Sequence, residues 1–234
     1  MSPGARTVGR TAGVIVAAGK GERLQEDLPK QYLDLGGRPV LSWSVEAFAA
    51  HDDIDLVVVV LGPEYAASPP AWLPADVLVV AGGDTRAESV RAGLSVVQGR
   101  CDVVLIHDGA RPFATRDLIS RVIEAAGSDA IVPVVELSDT VKVVDPDGWV
   151  LESPPRDSLY GAQTPQGFPI EVLARAHAAI DGDPTLTDDA LACERIGLRV
   201  GTLAGEPNNF KITTAEDLSR ARWLVDAGLI QAGT

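Results

Sequence analysis

The 234-residue chain is 46% hydrophobic, which suits one large domain or a domain with an elaboration and excludes disordered, collagenous and low-complexity classes. Its 20 Lys and Arg against 33 Asp and Glu leave a net charge of −13, the wrong sign for a general nucleic-acid or anionic-membrane binder, so a phosphate ligand must be held by local cations. No apolar run reaches the roughly 18 residues of a membrane span, and the two distant cysteines, Cys101 and Cys193, form no CxxC, which points to neither a zinc site nor a disulfide framework and fits a reducing, cytoplasmic setting.

Residues 1–11 read as a disordered tail and residues 12–234 as a single domain. Arg6 and Arg10 before the apolar stretch 12–19 faintly imitate a secretory leader, but that stretch is short and runs into Gly-Lys-Gly-Glu-Arg. Gly4-Ala-Arg-Thr-Val-Gly9-Arg10-Thr11 imitates a Walker A loop with arginine for lysine, yet it precedes the strand that such a loop follows. Nearly unbroken apolar runs at 13–17, 56–61, 77–80, 103–106 and 130–135 predict buried parallel strands. Helical segments lie between them. Thr85-Arg86-Ala87-Glu88 has capping-box spacing, and Val90, Leu94 and Val97 then recur on one helical face. The alternation predicts an α/β fold, a Rossmann-like three-layer sandwich on a mostly parallel sheet.

After Ser138 the pattern changes to strand, turn, strand: Thr140-Val-Lys-Val-Val, Asp145-Pro-Asp-Gly148, then Trp149-Val-Leu. Residues 138–160 are expected to form a protruding β-arm, closed by Ser153-Pro-Pro-Arg156, whose prolines discourage further sheet pairing. Thr187-Asp-Asp-Ala opens one helix with an N-cap, two acids and a glycine stop at Gly197, and Thr214-Ala-Glu-Asp217 opens the last.

Three segments sit where open α/β sheets bind ligands, at the carboxyl ends of strands. Ala17-Ala18-Gly19-Lys20-Gly21-Glu22-Arg23-Leu24, with Pro29-Lys30-Gln31 after it, joins a glycine turn open to a phosphate chain with the cations Arg23 and Lys30. Leu24 replaces the third glycine of the dinucleotide fingerprint, which disfavours an oxidoreductase. Gly82-Gly83-Asp84-Thr85-Arg86-Ala87-Glu88-Ser89 reads equally as a capped helix start and as a ligand turn, with Ser89 able to bond a base edge. In His107-Asp108-Gly109-Ala110-Arg111-Pro112, Asp108 either holds Mg²⁺ beside a triphosphate or caps the next turn and pairs with Arg111, and His107 reads as a packed residue.

In order and spacing, AAGxGxRL, PKQY, GGDxRxxSV, HDxARP, DTxK, QTPQ, TDDA and NxKxT resemble the 2-C-methyl-D-erythritol 4-phosphate cytidylyltransferase family over residues 13–229. The resemblance implies cytidylyl transfer from CTP to methylerythritol phosphate with release of pyrophosphate, and Mg²⁺ as cofactor. It implies CTP contacts at Ala17, Ala18, Gly19, Gly21, Gly83, Asp84 and Ser89, catalytic cations at Arg23, Lys30 and Lys211, and the metal at Asp108. Arg111, Thr140, Arg156, Thr164 and Thr187 match acceptor-binding positions, with Thr140 and Arg156 serving the partner's site in a homodimer formed through the arm. Two positions depart from the pattern: Val16 replaces a proline, and Gly109 replaces an alanine, which could loosen the turn after Asp108. The chain ends soon after its last helix, unlike the fusion with a cyclodiphosphate synthase. The alternatives are a ribitol 5-phosphate cytidylyltransferase, which shares the CTP face, and a non-catalytic nucleotide-sensing module.

Overall fold

The computed structural model describes residues 9–19, 28–180 and 185–230. Five parallel-type strands follow the apolar runs: β1 (Thr11–Ala17), β2 (Leu56–Leu61), β3 (Leu78–Ala81), β4 (Val103–Asp108) and β5 (Ala130–Glu136). β1 starts inside the expected tail, because the Thr11 N–H donates to Asp55 Oδ2 and Thr11 pairs with Val103. β4 runs to Asp108, so its carboxylate is the last residue of a strand buried along its whole length.

Helices α1 (Val40–Ala49), α2 (Pro63–Ala67) and α4 (Arg116–Ala125) cover one face, and α3 (Arg86–Val97), α5 (Ile170–Ala179) and α6 (Asp189–Arg195) the other. The period of two is visible in β1, where Ala12 and Val14 pack under α3 while Ile15 and Ala17 pack under α1. In β1, β2 and β4 both faces are buried, so these strands carry no polar alternation and read as continuous apolar runs, whereas β3, expected to be buried, is the edge strand and only partly covered. Gly93 brings α3 tight against the sheet: a Cβ there would lie 2.4 Å from Val14 Cγ1. A third cluster joins Leu33, Leu35 and Trp43 to Phe113, Ile212 and Leu218, docking α7 (Ala215–Asp226) beside the end of β4.

Among the described residues the sheet order is β10-β5-β9-β4-β1-β2-β3, where β9 is Gln166–Pro169 and β10 is Val200–Ala204. β1 pairs in parallel with both β2 and β4, so successive connections leave β1 in opposite directions and open a crevice at the carboxyl ends of β1 and β4. The expected hairpin is present as β6 (Val143–Val144) and β7 (Val150–Glu152), antiparallel, with Gly148 at φ 88° in its turn. Arg156 Nη1 donates to Ser138 O, and Lys142 Nζ to Ser153 Oγ, tying the two ends of the arm together.

Two expectations are corrected. The prolines do not end sheet pairing: after a 3-10 turn at Arg156–Ser158 the chain re-enters, and β8 (Tyr160–Ala162) and β9 run antiparallel to β5. β9 also pairs with β4, and its sequence Gln-Gly-Phe-Pro is too short and too glycine-rich to show a strand period. The N-cap of α6 is Asp188 rather than Thr187: its Oδ1 accepts from Leu191 N–H, a geometry that leaves Thr187 exposed just ahead of the helix.

Candidate active site

Three chain segments converge at the crevice: the turn after β1, the turn after β3, and the end of β4. They enclose a cavity of about 760 Å³, completed by Lys30 and Lys211. Gln31, in the 3-10 turn Lys30–Tyr32, donates from Nε2 to Ala17 O at 2.8 Å and Gly19 O at 2.9 Å, which fastens the first turn and brings Lys30 to the pocket wall. Gly82 is there because nothing larger fits: a Cβ would come within 2.4 Å of Ala18 Cβ and 2.6 Å of Ser89 Oγ. Thr85 caps α3 through the reciprocal box with Glu88, so Arg86 is held at the first turn of the helix.

Asp108 lies at the pocket floor, 9% exposed. Lys211 Nζ is 2.9 Å from its Oδ2, Arg86 Nε 3.3 Å from its Oδ1, and Arg111 Nε 3.8 Å from Oδ2. Burial would raise its pKa, but Arg86, Lys211 and Arg111 outweigh that and hold the carboxyl well below the usual range. Arg86 reaches backwards as well, its Nη2 2.7 Å from the fully buried Asp189 Oδ2. Burial alone would lower the Arg86 pKa, yet the two carboxylates reverse the effect and keep the guanidinium firmly charged.

Hydrogen bonds fix the backbone beneath this cluster. Arg111 O can only accept, so His107 Nε2, 3.0 Å away, donates to it. The other ring nitrogen, Nδ1, then accepts the Thr164 hydroxyl at 3.1 Å, and Thr164 Oγ1 accepts the Asp108 N–H at 3.0 Å. Asn209 Nδ2 donates to Thr164 O, and Arg111 Nη1 to Asn209 O. Ile212, buried in the α7 cluster, donates its N–H to Ala110 O at 2.8 Å, which places Lys211 against Asp108. Gly109 is not a loose point: its φ is not positive, its N–H donates to Val16 O, and Arg111 N–H closes the turn onto Asp108 O.

Of the residues singled out in the sequence, Ala17, Ala18, Gly19, Lys30, Gly83, Asp84, Ser89, Asp108 and Lys211 line one pocket. Gly21 and Arg23 lie outside the described residues. Arg111 stands behind Asp108 with its Nη atoms turned to the carbonyls of Asn209 and Ala162, and Thr164 is buried beneath. Thr140 and Arg156 are exposed on the arm, away from the pocket walls, and Thr187 is exposed before α6. Sequence reasoning missed Arg86, Gln31, Thr213 and Asp189. All four stood inside quoted motifs, PKQY, GGDxRxxSV, TDDA and NxKxT, but local pattern showed only turns and helix caps.

The family model described as 2-C-methyl-D-erythritol 4-phosphate cytidylyltransferase matches residues 11–227. The chain belongs to that cytidylyltransferase family. It is 46% identical over 222 residues to the enzyme of that name from Rhodococcus jostii, covering 94% of this chain and 97% of the relative. Solved structures agree. The cytidylyltransferase from Thermus thermophilus is 36% identical with a TM-score of 0.79, over 93% of this chain and 99% of that one. The 4-diphosphocytidyl-2C-methyl-D-erythritol synthase from Anaerococcus prevotii superposes at a TM-score of 0.83 with 29% identity, over 96% of this chain and 100% of that one.

In this cytidylyltransferase, His107 makes folding sensitive to acid. Burial pushes its pKa down to about 4, whereas the unfolded imidazole titrates near 6.5, so the unfolded chain takes up the proton first. Its contribution is therefore complete above about pH 6.5 and is lost as pH falls toward 4. Urea unfolding should show roughly 2 kcal/mol less stability at pH 5 than at pH 7, before the depressed carboxylates begin to protonate. An unchanged midpoint over that interval would contradict a neutral, buried His107.

Proposed function

We propose that this cytidylyltransferase transfers the cytidylyl group of CTP to 2-C-methyl-D-erythritol 4-phosphate, releasing pyrophosphate, and that the pocket at the ends of β1, β3 and β4 is where it does so. One observation carries the reading: in a chain of net charge −13, the pocket wall presents, among the described residues, Lys30, Arg86 and Lys211 against Asp84 and Asp108. The cations needed for a triphosphate and a phosphate monoester are gathered at one place.

The acceptor's phosphate oxygen attacks the α-phosphorus in line, the bond to the β-phosphate oxygen breaks, and pyrophosphate leaves. The monoester is already anionic near neutral pH, so no protein nucleophile or general base is required, and the protein's task is to align two repelling anions and neutralise developing charge. The glycine turns at 17–19 and 82–83 admit the nucleotide's phosphates and base without Cβ interference, and Ser89 and Asp84 face the same cavity. Lys30 carries charge at the transferred phosphate, a role that the family motif alone gives to Arg23, outside the described residues, and Lys211 carries charge beside Asp108.

Mg²⁺ fits as a companion of the triphosphate. Asp108 is an ionised carboxylate on the pocket wall, and a single such carboxylate together with phosphate oxygens is a donor set that suits Mg²⁺. When bound, the ion supplies charge neutralisation on the phosphate oxygens.

The arm supports a homodimer in which Thr140 and Arg156 bind the acceptor in the partner's site. Trp149, Val150 and Leu151 are 73%, 57% and 66% exposed on a two-stranded hairpin, an apolar surface that an isolated hairpin does not sustain alone. A cytoplasmic setting accords with the two free, buried cysteines.

Pyrophosphate release from CTP with Mg²⁺ tests the reaction, with methylerythritol phosphate and ribitol 5-phosphate as parallel acceptors. Release with the first alone is expected, and release with ribitol phosphate alone would move the function to pentitol activation. Lys30→Ala should lower turnover about a hundredfold or more, the scale of removing a positioned charge from a transition state. For the arm, sedimentation should give a dimer for the parent and a monomer for Val144→Asp/Trp149→Ser, and a monomeric parent at micromolar concentration would overturn the interface.

A further inference from the structure

The cluster under the pocket continues into the apolar interior, where the reaction itself has no need of charge. Asp189 is 0% exposed within the layer formed by α3, α5 and α6. Its Oδ2 receives Arg86 Nη2 at 2.7 Å, and its Oδ1 lies 3.0 Å from Nε2 of His177, a buried residue of α5. The carboxylate is held rigidly. Gln166 on β9 brackets it, donating from Nε2 to Asp188 Oδ2 and accepting from Ala190 N–H through Oε1, while Asp188 caps the helix.

A buried ion pair of this kind seldom stabilises a fold more than apolar residues of the same volume would, so stability alone is a weak reason for its presence. Its geometry has another consequence. The guanidinium is planar, and anchoring Nη2 on Asp189 aims Nε at Asp108 Oδ1, 3.3 Å away, with the side chain still 23% exposed at the pocket wall. Of the three cations around Asp108, Arg86 is thus the one fixed from behind by a second, fully buried carboxylate.

We propose that Asp189, oriented by His177, is a positioning residue for the transfer reaction, acting through Arg86 to fix a pocket cation and the Asp108 carboxylate. The inference rests on the assignment of the pocket to cytidylyl transfer. It gives the TDDA segment two tasks, a cap at Asp188 and a charge anchor at Asp189, and it makes α5 and α6 part of the catalytic framework although neither reaches the cavity.

A double-mutant cycle on turnover tests it. Asp189→Asn should lower kcat at least tenfold with KM for CTP changed less than threefold, and Arg86→Ala should lower kcat further. In the Arg86→Ala background, Asp189→Asn should cost no more than a further twofold, because its effect passes through the missing guanidinium. Losses that multiply would overturn the inference. Arg86→Lys gives the same reading if the alanine variant does not fold, since one ammonium cannot span both carboxylates. His177→Gln, which keeps a donor to Asp189, should retain most of the turnover that His177→Leu loses. The crystal structure of Asp189→Asn is a readout independent of turnover: Arg86 Nε should leave Asp108, and an unmoved guanidinium would overturn the inference. Absence of turnover in the parent would instead overturn the reaction assignment, with that crystal structure still deciding the role of Asp189.

Discussion

Asp108 must stay ionised at the floor of a cavity where burial works against its charge, and the surrounding structure is arranged to meet that requirement. Three cations reach it from three directions: Arg86 from α3, Arg111 from the turn after β4, and Lys211 from the segment before α7. Each cation is held by something more deeply buried. Asp189 anchors Arg86, backbone carbonyls anchor Arg111, and Ile212 anchors the backbone next to Lys211. The result is a charge arrangement set before any substrate arrives, which is the condition under which fixed charges are most effective on a transition state.

The fold supplies the place for this cluster. β1 separates β4 from β2, so the turns leaving β1 and β4 diverge and leave a crevice, and the third turn, after β3, closes it through the contact of Gly82 with Ala18 and Ser89. Antiparallel β9 enters beside β4 and brings Gln166 toward α6, and the residues just before it supply Thr164 and Gln163. Gln163 accepts from Glu206 N–H and donates to Glu206 O, so the loop carrying Asn209 and Lys211 is secured to the same insertion. The motif glutamines are scaffold, and the charged residues they position face the cavity.

Much of this was legible in the sequence. Strands β1, β2 and β4 declared themselves because both faces are covered, and the glycine turns and Asp108 stood at strand ends where ligands bind. The hairpin's Asp145-Pro-Asp-Gly148 turn was equally plain. β9 was not, since four residues containing glycine and proline carry no period, and its place in the sheet is fixed by β4 and β5. Arg86 read as a helix-cap neighbour because its partners lie 22 and 103 residues away in the chain. In TDDA, spacing cannot say which acid caps and which is buried; the packing of α6 against α5 makes that choice.

The most direct test of the central role of Asp108 separates binding from turnover in one variant. Asp108→Asn should bind CTP without divalent ion at least as tightly as the parent by calorimetry, because a negative charge facing the triphosphate is gone while Arg86 and Lys211 remain. With Mg²⁺ and acceptor present, its pyrophosphate release should fall about a hundredfold or more. Turnover close to the parental value would contradict the account, since the residue around which the cations are gathered would then be dispensable.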